Sequence, residues 1–466
     1  MARKVRTISE VEVVDIGDKG QAIGKCPDGR VVLVEKAVPG DVVDVVVRKK
    51  RKGMLLTTPQ RYVRYSGQRV EPFCQHFGTC GGCKWQHLDY AAQLQYKEQA
   101  VRSALQRIGQ LTEPIVEPIA AAPLTTHYRN KLEFTFTDQR WLTQEEIDSG
   151  VDADRRGLGF HVPGSYARVL DLSECHLQRS PSDDIRQFVR DYCLQQDLPF
   201  QNIRDRTGLM RNLIVRTNAL GECMVIVIFV QDAPKARAAL MTAIGQRFDE
   251  IVSLYYCINP KLNDTYFDLD FHLVDGAPTL TQQLGHLQFA LGPKSFFQTN
   301  PSQAEVLYET AMEYASLSGE EVVYDLYCGI GTLTLYAASR ARYALGIEEV
   351  VEAIDDARHN AGLNGITNAT FYAGTVRDVL SAEFRARHPA PDVVIADPPR
   401  AGMHGTAIRH LLELRPERIV YVSCNPATQA RDIALLSEAY SFQRARPVDM
   451  FPHTSHIENV ALLLKK

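Results

Sequence analysis

From residue 304 onward, short apolar runs alternate with amphipathic stretches, and this alternation limits the fold more than any other feature of the chain. The runs lie at 321–326, 343–348, 369–373, 392–396, 419–423, 442–449 and 457–464, and helical spacing separates the first five. Strand–helix alternation of this kind builds a parallel sheet with helices on both faces. No helical pattern lies between the last two runs, so they are expected to end the sheet as an antiparallel hairpin. The expected fold class here is α/β, doubly wound. Sheets of this class bind ligands beyond the C-terminal ends of their strands, so the residues just past each run are site candidates.

Those residues are unusual in chemistry. The first run leads into Asp325-Leu326-Tyr327-Cys328-Gly329-Ile330-Gly331, where glycines allow a tight turn at a helix N-terminus. Glu348 closes the second run, about 20 residues on, where an acid commonly holds ribose hydroxyls. Leu333-Thr334 stand where a dinucleotide loop carries its third glycine, and no Walker lysine follows. This favours S-adenosylmethionine over NAD or ATP as cofactor. The fourth run ends in Asp397-Pro398-Pro399-Arg400, whose prolines lack N–H groups and leave a carboxylate facing the crevice. The fifth ends in Ser423-Cys424-Asn425-Pro426, which puts a thiol in a turn. Free cysteines are often inert core residues, but a position between a strand and Asn-Pro favours an exposed turn. Pro452-His453-Thr454-Ser455-His456-Ile457-Glu458 adds a carboxylate near the C-terminus. A thiol nucleophile, a cofactor loop and a base in one domain point to covalent catalysis.

The N-terminal part reads differently. Strands are expected at 7–16, 30–34, 42–47 and 53–63, the last broken at Thr58-Pro59, with turns at Asp18-Lys19-Gly20 and Pro27-Asp28-Gly29. Five short strands in this space fit a small antiparallel barrel of the OB type, which often binds single-stranded nucleic acid. Residues 1–66 hold fourteen Lys/Arg against eight Asp/Glu, although the whole chain carries a net charge of −4. Arg48-Lys49-Lys50-Arg51-Lys52 are consecutive, and Arg61, Arg64 and Arg69 follow with no acid between Asp44 and Glu71. Such a patch is a footprint for phosphates, or else a solvated hairpin tip. A helix is expected at 90–108. An α+β region follows, with strands at 131–137, 157–162, 213–218, 223–230 and 251–258 and helices at 181–196 and 235–248. Residues 142–156 form an acidic surface excursion. The expected domains are 1–65 (OB-like, RNA-binding), 66–271 (central, cysteine-rich) and 272–466 (cofactor-binding).

Ten cysteines in 466 residues are not a disulfide framework. Cys74, Cys80 and Cys83 crowd into ten residues with Gly78, Gly81 and Gly82, a spacing that suits metal binding. Cys175 is the best candidate for a fourth soft ligand, and His76, His87 and His176 are possible zinc ligands. Spacing alone leaves zinc and iron–sulfur both open. Cys26, Cys193, Cys223, Cys257 and Cys328 read as structural. No run reaches the roughly 18 apolar residues of a membrane helix, and no apolar segment follows the basic N-terminus. A cytoplasmic protein without membrane contact is expected.

Taken in order, the barrel, the cysteine cluster, Ser295-Phe296-Phe297-Gln298-Thr299-Asn300, the glycine loop, Asp397-Pro-Pro-Arg, Ser-Cys-Asn-Pro and the final His-x-x-His-x-Glu segment resemble the RNA uracil-C5 methyltransferase family over nearly the full length. The resemblance implies an N-terminal TRAM barrel, a central α+β iron–sulfur domain and a C-terminal Rossmann-like S-adenosylmethionine methyltransferase domain. It implies a [4Fe-4S] cluster on Cys74, Cys80, Cys83 and Cys175, and cofactor contacts from Gln298, Tyr327, Glu348 and Asp397. Tyr327 stands where relatives often carry Phe. Thr332 replaces an Asn found in some relatives, so that contact is not carried over.

The implied chemistry is S-adenosylmethionine-dependent methylation of uridine C5, with Cys424 adding to C6 and Glu458 removing the C5 proton. Because members acting on tRNA commonly lack the cluster, ribosomal RNA (23S rRNA) is the expected substrate, ahead of tRNA, and a monomer is expected. Phe296 and Phe297 are candidates to stack on an extruded base, or else core residues. The competing readings are an amino-group methyltransferase using Asp397-Pro-Pro and a non-catalytic RNA-binding protein. Arg400 stands where the former usually has an aromatic residue.

Overall fold

The computed structural model describes residues 6–17, 20–51, 53–150 and 152–466. The expected turn at Asp18-Lys19, the Arg51 side chain and Lys52 of the basic run lie outside the described residues.

Strands β1 (Thr7–Ile16), β2 (Ala22–Lys25), β3 (Val31–Val34), β4 (Val42–Arg51) and β5 (Met54–Arg64) close into a barrel in the order β1-β2-β3-β5-β4. Alternating valines, Val11, Val13, Val32, Val34, Val43 and Val45, fill its interior. Three details depart from the sequence reading. β2 was not anticipated; its Gly24 lets the strand cross β1 closely, since a Cβ there would lie 2.5 Å from Val11 Cγ1. Pro59 does not break β5; it sits opposite Val45 beside a shift in the ladder, where a missing N–H is tolerated. The barrel is not wholly antiparallel, because β3 and β5 pair in parallel. The basic surface is also less free than its composition suggests: Arg61 pairs with Asp44 at 2.8 Å and Arg69 with Asp41 at 2.9 Å.

Next come α1 (Tyr90–Arg107), β6 (Lys131–Thr137), α2 (Gln144–Ser149), β7 (Gly157–His161), β8 (Val169–Asp171), α3 (Ser182–Gln195), β9 (Met210–Thr217), β10 (Cys223–Phe229), α4 (Pro234–Arg247), β11 (Ile251–Ile258) and β12 (Phe271–Gly276). The seven strands form one mixed sheet, β12-β11-β10-β9-β6-β7-β8, in which only β10 and β11 run parallel. α3 and α4 cover one face over Phe134, Phe136, Val225 and Val227. β8 and β12 escaped the sequence reading because one is three residues long and the other is a largely exposed edge.

The remaining elements are β13 (Leu280–Leu284), β14 (Leu287–Leu291), α5 (Pro301–Ala315), β15 (Val322–Leu326), α6 (Thr332–Ala338), β16 (Tyr343–Glu348), α7 (Val351–Leu363), β17 (Ala369–Ala373), α8 (Val376–Val379), α9 (Ala382–Arg387), β18 (Val393–Ala396), α10 (Gly405–Leu414), β19 (Arg418–Ser423), α11 (Pro426–Leu436), β20 (Tyr440–Val448) and β21 (Glu458–Lys465). β13 and β14 form a separate hairpin. The main sheet runs β17-β16-β15-β18-β19-β21-β20. β20 and β21 do form the expected antiparallel hairpin, but β21 inserts beside β19 and pushes β20 to the edge. α5, α6 and α7 pack on one face and α8, α10 and α11 on the other.

Helix α1 lies within residues 66–271 in chain order yet packs on the C-terminal sheet. Val101 and Leu105 join the same core as Leu411 and Tyr421. Bridges from Val116 to Ala445 and Ala120 to Val448 continue the contact along β20. Among the described residues, no helix is long and apolar enough to cross a membrane.

Candidate active site

A cavity of about 600 Å³ opens beyond the C-terminal ends of β15, β16 and β18. Gln298, Tyr327, Glu348 and Asp397 all line it, with Asp325 and Gly329. The loop after β15 is held tightly. The Tyr327 and Cys328 amides both donate to the Ile347 carbonyl, at 2.9 and 3.0 Å. Tyr327 adopts a left-handed φ of 76°, which a non-glycine residue keeps only where its surroundings impose it. Glu348 accepts from the Gly329 amide at 3.1 Å and from the Val350 amide at 3.0 Å, one oxygen each. At Gly331, with φ of 85°, a Cβ would press on Ala357 and Phe371 at 3.1 Å; at Gly329 it would meet open space. Gly331 therefore seats α6 against its neighbours, while Gly329 leaves the cavity wall bare.

Two acids, the buried Asp325 and the half-buried Asp397, line this cavity with no cationic partner among the described residues. Asp325 accepts from the Thr334 hydroxyl at 2.7 Å through one oxygen, and its other oxygen has no partner. Burial pushes Asp325 up to about 7. Burial and then the charge of Asp325 push Asp397 up to about 7 as well. Carboxylates left so unpaired favour a positively charged ligand.

Cys424 and Glu458 are brought together by strand register. β19 and β21 are antiparallel, with Val422 opposite Val460 and Ser423 opposite Asn459. One further step places the turn residue Cys424 across from Glu458, the first residue of β21. Glu458 is only 5 % exposed, whereas Cys424 is half-buried. Burial and the nearby Glu458 push the Cys424 thiol up to about 11, and Arg400 opposes the shift. Burial first, then Asp397, raise Glu458 well above the usual carboxylate range, again against Arg400. Asp397 thus acts on both groups and also lines the cavity beyond β15, β16 and β18. The Arg400 carbonyl accepts from Asn425 Nδ2 at 3.0 Å and Thr428 Oγ1 at 3.3 Å, which ties the Asp-Pro-Pro-Arg loop to the cysteine turn. Asn425 caps α11 through the Ala427 amide, so the thiol lies at a helix N-terminus, where the dipole favours a thiolate.

Cys74, Cys80, Cys83 and Cys175 surround one small pocket with Phe77, Phe160 and Leu177. Each sulfur faces an N–H donor: the His76 and Phe77 amides at Cys74, Gly82 at Cys80, the Gln86 side chain at Cys83 and the Leu177 amide at Cys175. Such donors favour thiolates, but burial outweighs them and raises all four thiols above their ordinary value. His76 and His176 also line this pocket, but His87 does not. Among the described residues, no three His, Cys, Asp or Glu side chains are gathered closely enough to hold a single metal ion. Cys26, Cys193, Cys223, Cys257 and Cys328 are buried; Cys328 additionally lines the 600 Å³ cavity. Phe297 is core, packed on Phe289, while Phe296 is 70 % exposed at the cavity rim. Sequence reasoning gave no role to Asp325 or to the Arg400 charge, although both stood in the quoted motifs.

The family description "tRNA (Uracil-5-)-methyltransferase" matches residues 278–466, and "TRAM domain" matches residues 2–57. A protein of Porphyromonas gingivalis named "Uncharacterized RNA methyltransferase" is 48 % identical over 464 residues, covering 98 % of this chain and 99 % of that protein. One of the same name from Bacteroides thetaiotaomicron is 48 % identical over 449 residues, covering 96 % and 99 %. The crystal structure of Pyrococcus abyssi tRNA (uracil-54, C5)-methyltransferase in complex with S-adenosyl-L-homocysteine superposes with a TM-score of 0.76 at 28 % identity, covering 98 % of this chain and 99 % of that one. With a TRAM barrel at one end, the uracil-5 methyltransferase domain at the other, and near-full-length similarity to RNA methyltransferases between them, this chain belongs to the RNA uracil-5-methyltransferase family.

Proposed function

We propose that the chain methylates C5 of a uridine in RNA, with Cys424 as nucleophile and Glu458 as base. The observation that carries this reading is the β19–β21 register, which ends at Ser423 opposite Asn459 and sets Cys424 near enough to Glu458 to feel its charge, beside an acid that lines the cavity. Bound in that cavity, S-adenosylmethionine supplies an electrophilic methyl group on a cationic sulfonium. Uracil C5 is a weak nucleophile until C6 is attacked. The Cys424 thiolate forms a bond to C6 and drives the C5–C6 electron pair into an enolate, which makes C5 nucleophilic. After C5 is methylated, Glu458 takes the C5 proton; that electron pair restores the double bond and expels the thiolate. Gln298, Tyr327, Glu348 and Asp397 hold the cofactor in this reading. An amino-group methyltransferase has no use for a thiol facing a carboxylate.

The unpaired acids give a pH dependence. Asp397 and Asp325 titrate near 7 in the folded protein, above the unfolded carboxylate value of about 4. The folded state holds extra protons between these values, so their contribution to stability falls as pH rises through about 7. A cationic cofactor prefers the ionised acids and reverses that cost. Affinity for S-adenosylmethionine is therefore expected to rise from pH 6 to pH 8, more than affinity for S-adenosylhomocysteine, which lacks the sulfonium charge. Asp397→Asn should weaken S-adenosylmethionine binding by about 10- to 100-fold, the loss of one charge-assisted contact, and raise melting temperature most at alkaline pH. Calorimetric titration and thermal melts at several pH values measure both; a pH-independent affinity would contradict the assignment.

We assign Cys74, Cys80, Cys83 and Cys175 to a [4Fe-4S] cluster. The all-sulfur donor set and the N–H groups facing it support this, and a cluster needs its sulfurs further apart than a single ion does. Ribosomal RNA is the proposed substrate, met as a monomer in the cytoplasm. Transfer RNA is the second reading, favoured by the near-full-length match to an enzyme named for tRNA uracil-54. Tritium release separates the chemistry: RNA transcripts carrying 5-tritiated uridine should lose one tritium per methyl group gained. Methyl incorporation without tritium release would point to amino methylation.

A further inference from the structure

The segment joining β20 to β21 delivers Glu458 to the site, and helix α1 grips it from one side. Residues 93, 97, 101 and 105 form a single stripe at four-residue spacing on α1. Its second half, Val101 and Leu105, packs apolar against the sheet. Its first half is polar and fully buried: Gln93 is 0 % exposed and Lys97 1 %. Lys97 Nζ donates to Asp449 Oδ1 at 2.5 Å and to the Phe451 carbonyl at 3.0 Å, and Tyr90 donates to the other Asp449 oxygen at 2.9 Å. Gln93 accepts from the His453 amide at 2.9 Å and lies 3.2 Å from His453 Nδ1. Its amide nitrogen donates to the Trp85 and Leu88 carbonyls at 3.0 and 2.8 Å. The His453 carbonyl accepts from both Lys84 and Trp85 amides, at 2.9 and 3.0 Å. His453 itself is left-handed, with φ of 63°. Other elements hold the same segment: Asn300 donates to the Met450 carbonyl, Gln303 to the Asp449 and Ala120 carbonyls, and the Tyr128 hydroxyl to the Pro452 carbonyl.

A buried lysine and a buried glutamine are costly unless their partners are fixed. Here the shared partner is one loop, gripped at the Asp449 carboxylate and the Phe451 carbonyl and again at the His453 amide, five residues before Glu458, while Gln93 ties that loop to the Trp85 and Leu88 carbonyls. We infer that Gln93 and Lys97 are positioning residues: through His453 and Asp449 they set where Glu458 stands relative to the C5 proton. This rests on the reading of Glu458 as the base. Neither residue lines the cofactor cavity. Loosening Gln93 should therefore slow proton removal, the step after the covalent bond to C6 exists, and leave cofactor binding alone.

The test uses Gln93→Met, close in size but unable to bond His453, and Gln93→Asn, which keeps an amide but shortens its reach. Cofactor affinity is measured by calorimetry, product by single-turnover methylation, and the Cys424–RNA adduct by denaturing gel, with Glu458→Gln in parallel. Expected are cofactor affinity within about twofold of the parent, product formation slower by about tenfold, and a several-fold rise in adduct. If Glu458→Gln traps adduct and neither Gln93 variant does, the positioning role is wrong and the base assignment stands. If Glu458→Gln traps none, the base assignment itself fails. Should Gln93→Met not fold, Gln93→Asn decides alone by the same criteria. Equal loss of cofactor affinity and rate in the folded variants would mark Gln93 as structural only.

Discussion

Cys424→Ala is expected to abolish methyl transfer while leaving cofactor affinity unchanged. Without sulfur addition at C6, C5 keeps its low nucleophilicity, and among the described residues no other strand end of the C-terminal sheet presents a half-buried thiol. Cys328 is close to the cofactor loop, but it is buried and its thiol is held well above its ordinary value by that burial. The rate should fall by about 10⁴-fold or more, as when a covalent nucleophile is removed elsewhere. The cavity acids and the glycine loop are untouched, so calorimetric affinity should match the parent. Burial and the nearby Glu458 hold the Cys424 thiol near 11. Its thiolate fraction rises about tenfold per pH unit below that value, so kcat/KM of the parent should climb with pH across the neutral range. A substantial residual rate in Cys424→Ala would require a different mechanism.

Glu458→Gln should behave in the opposite way: it should stop turnover after the covalent step. Gln keeps the size of Glu and its contacts at the start of β21 but cannot take a proton. Addition and methylation proceed, the C5 proton stays, and the sulfur–carbon bond cannot be broken by elimination. A denaturant-stable protein–RNA adduct is expected to accumulate to near one per protein, with product formation down by about 10²- to 10⁴-fold, the usual contribution of a positioned base. The adduct should vanish in the double variant with Cys424→Ala. Normal turnover of Glu458→Gln without adduct would remove Glu458 from the mechanism.

Much of this arrangement could be read before any coordinates. The runs at 343–348 and 369–373 coincide with β16 and β17, because buried parallel strands have compact apolar signatures bounded by turns. The strand-end position of Tyr327, Asp397 and Cys424 followed from that alternation. What was not legible is instructive. Gly24 hid β2, because a glycine inside a strand reads as a breaker until the neighbour it must clear is known. Thr58-Pro59 read as a break because periodicity cannot show a ladder shift. The helix at 90–108 was legible, but its destination was not: spacing defines a face and not the sheet it covers. Gln93 and Lys97 were invisible for a related reason. A polar residue in an apolar stripe looks like an exposed position until the loop that satisfies it is in place. The facing of Cys424 and Glu458 depends on β21 inserting beside β19, a long-range pairing that local sequence does not encode.

The most direct measurement is mass mapping of modified nucleosides in ribosomal and transfer RNA from cells with and without this gene. Without the gene, 5-methyluridine is expected to be lost at a defined position in ribosomal RNA and to be restored by the parent gene but not by Cys424→Ala. Loss confined to transfer RNA would keep the chemistry and replace the substrate. An unchanged 5-methyluridine profile in both would contradict uracil-C5 methylation by this protein.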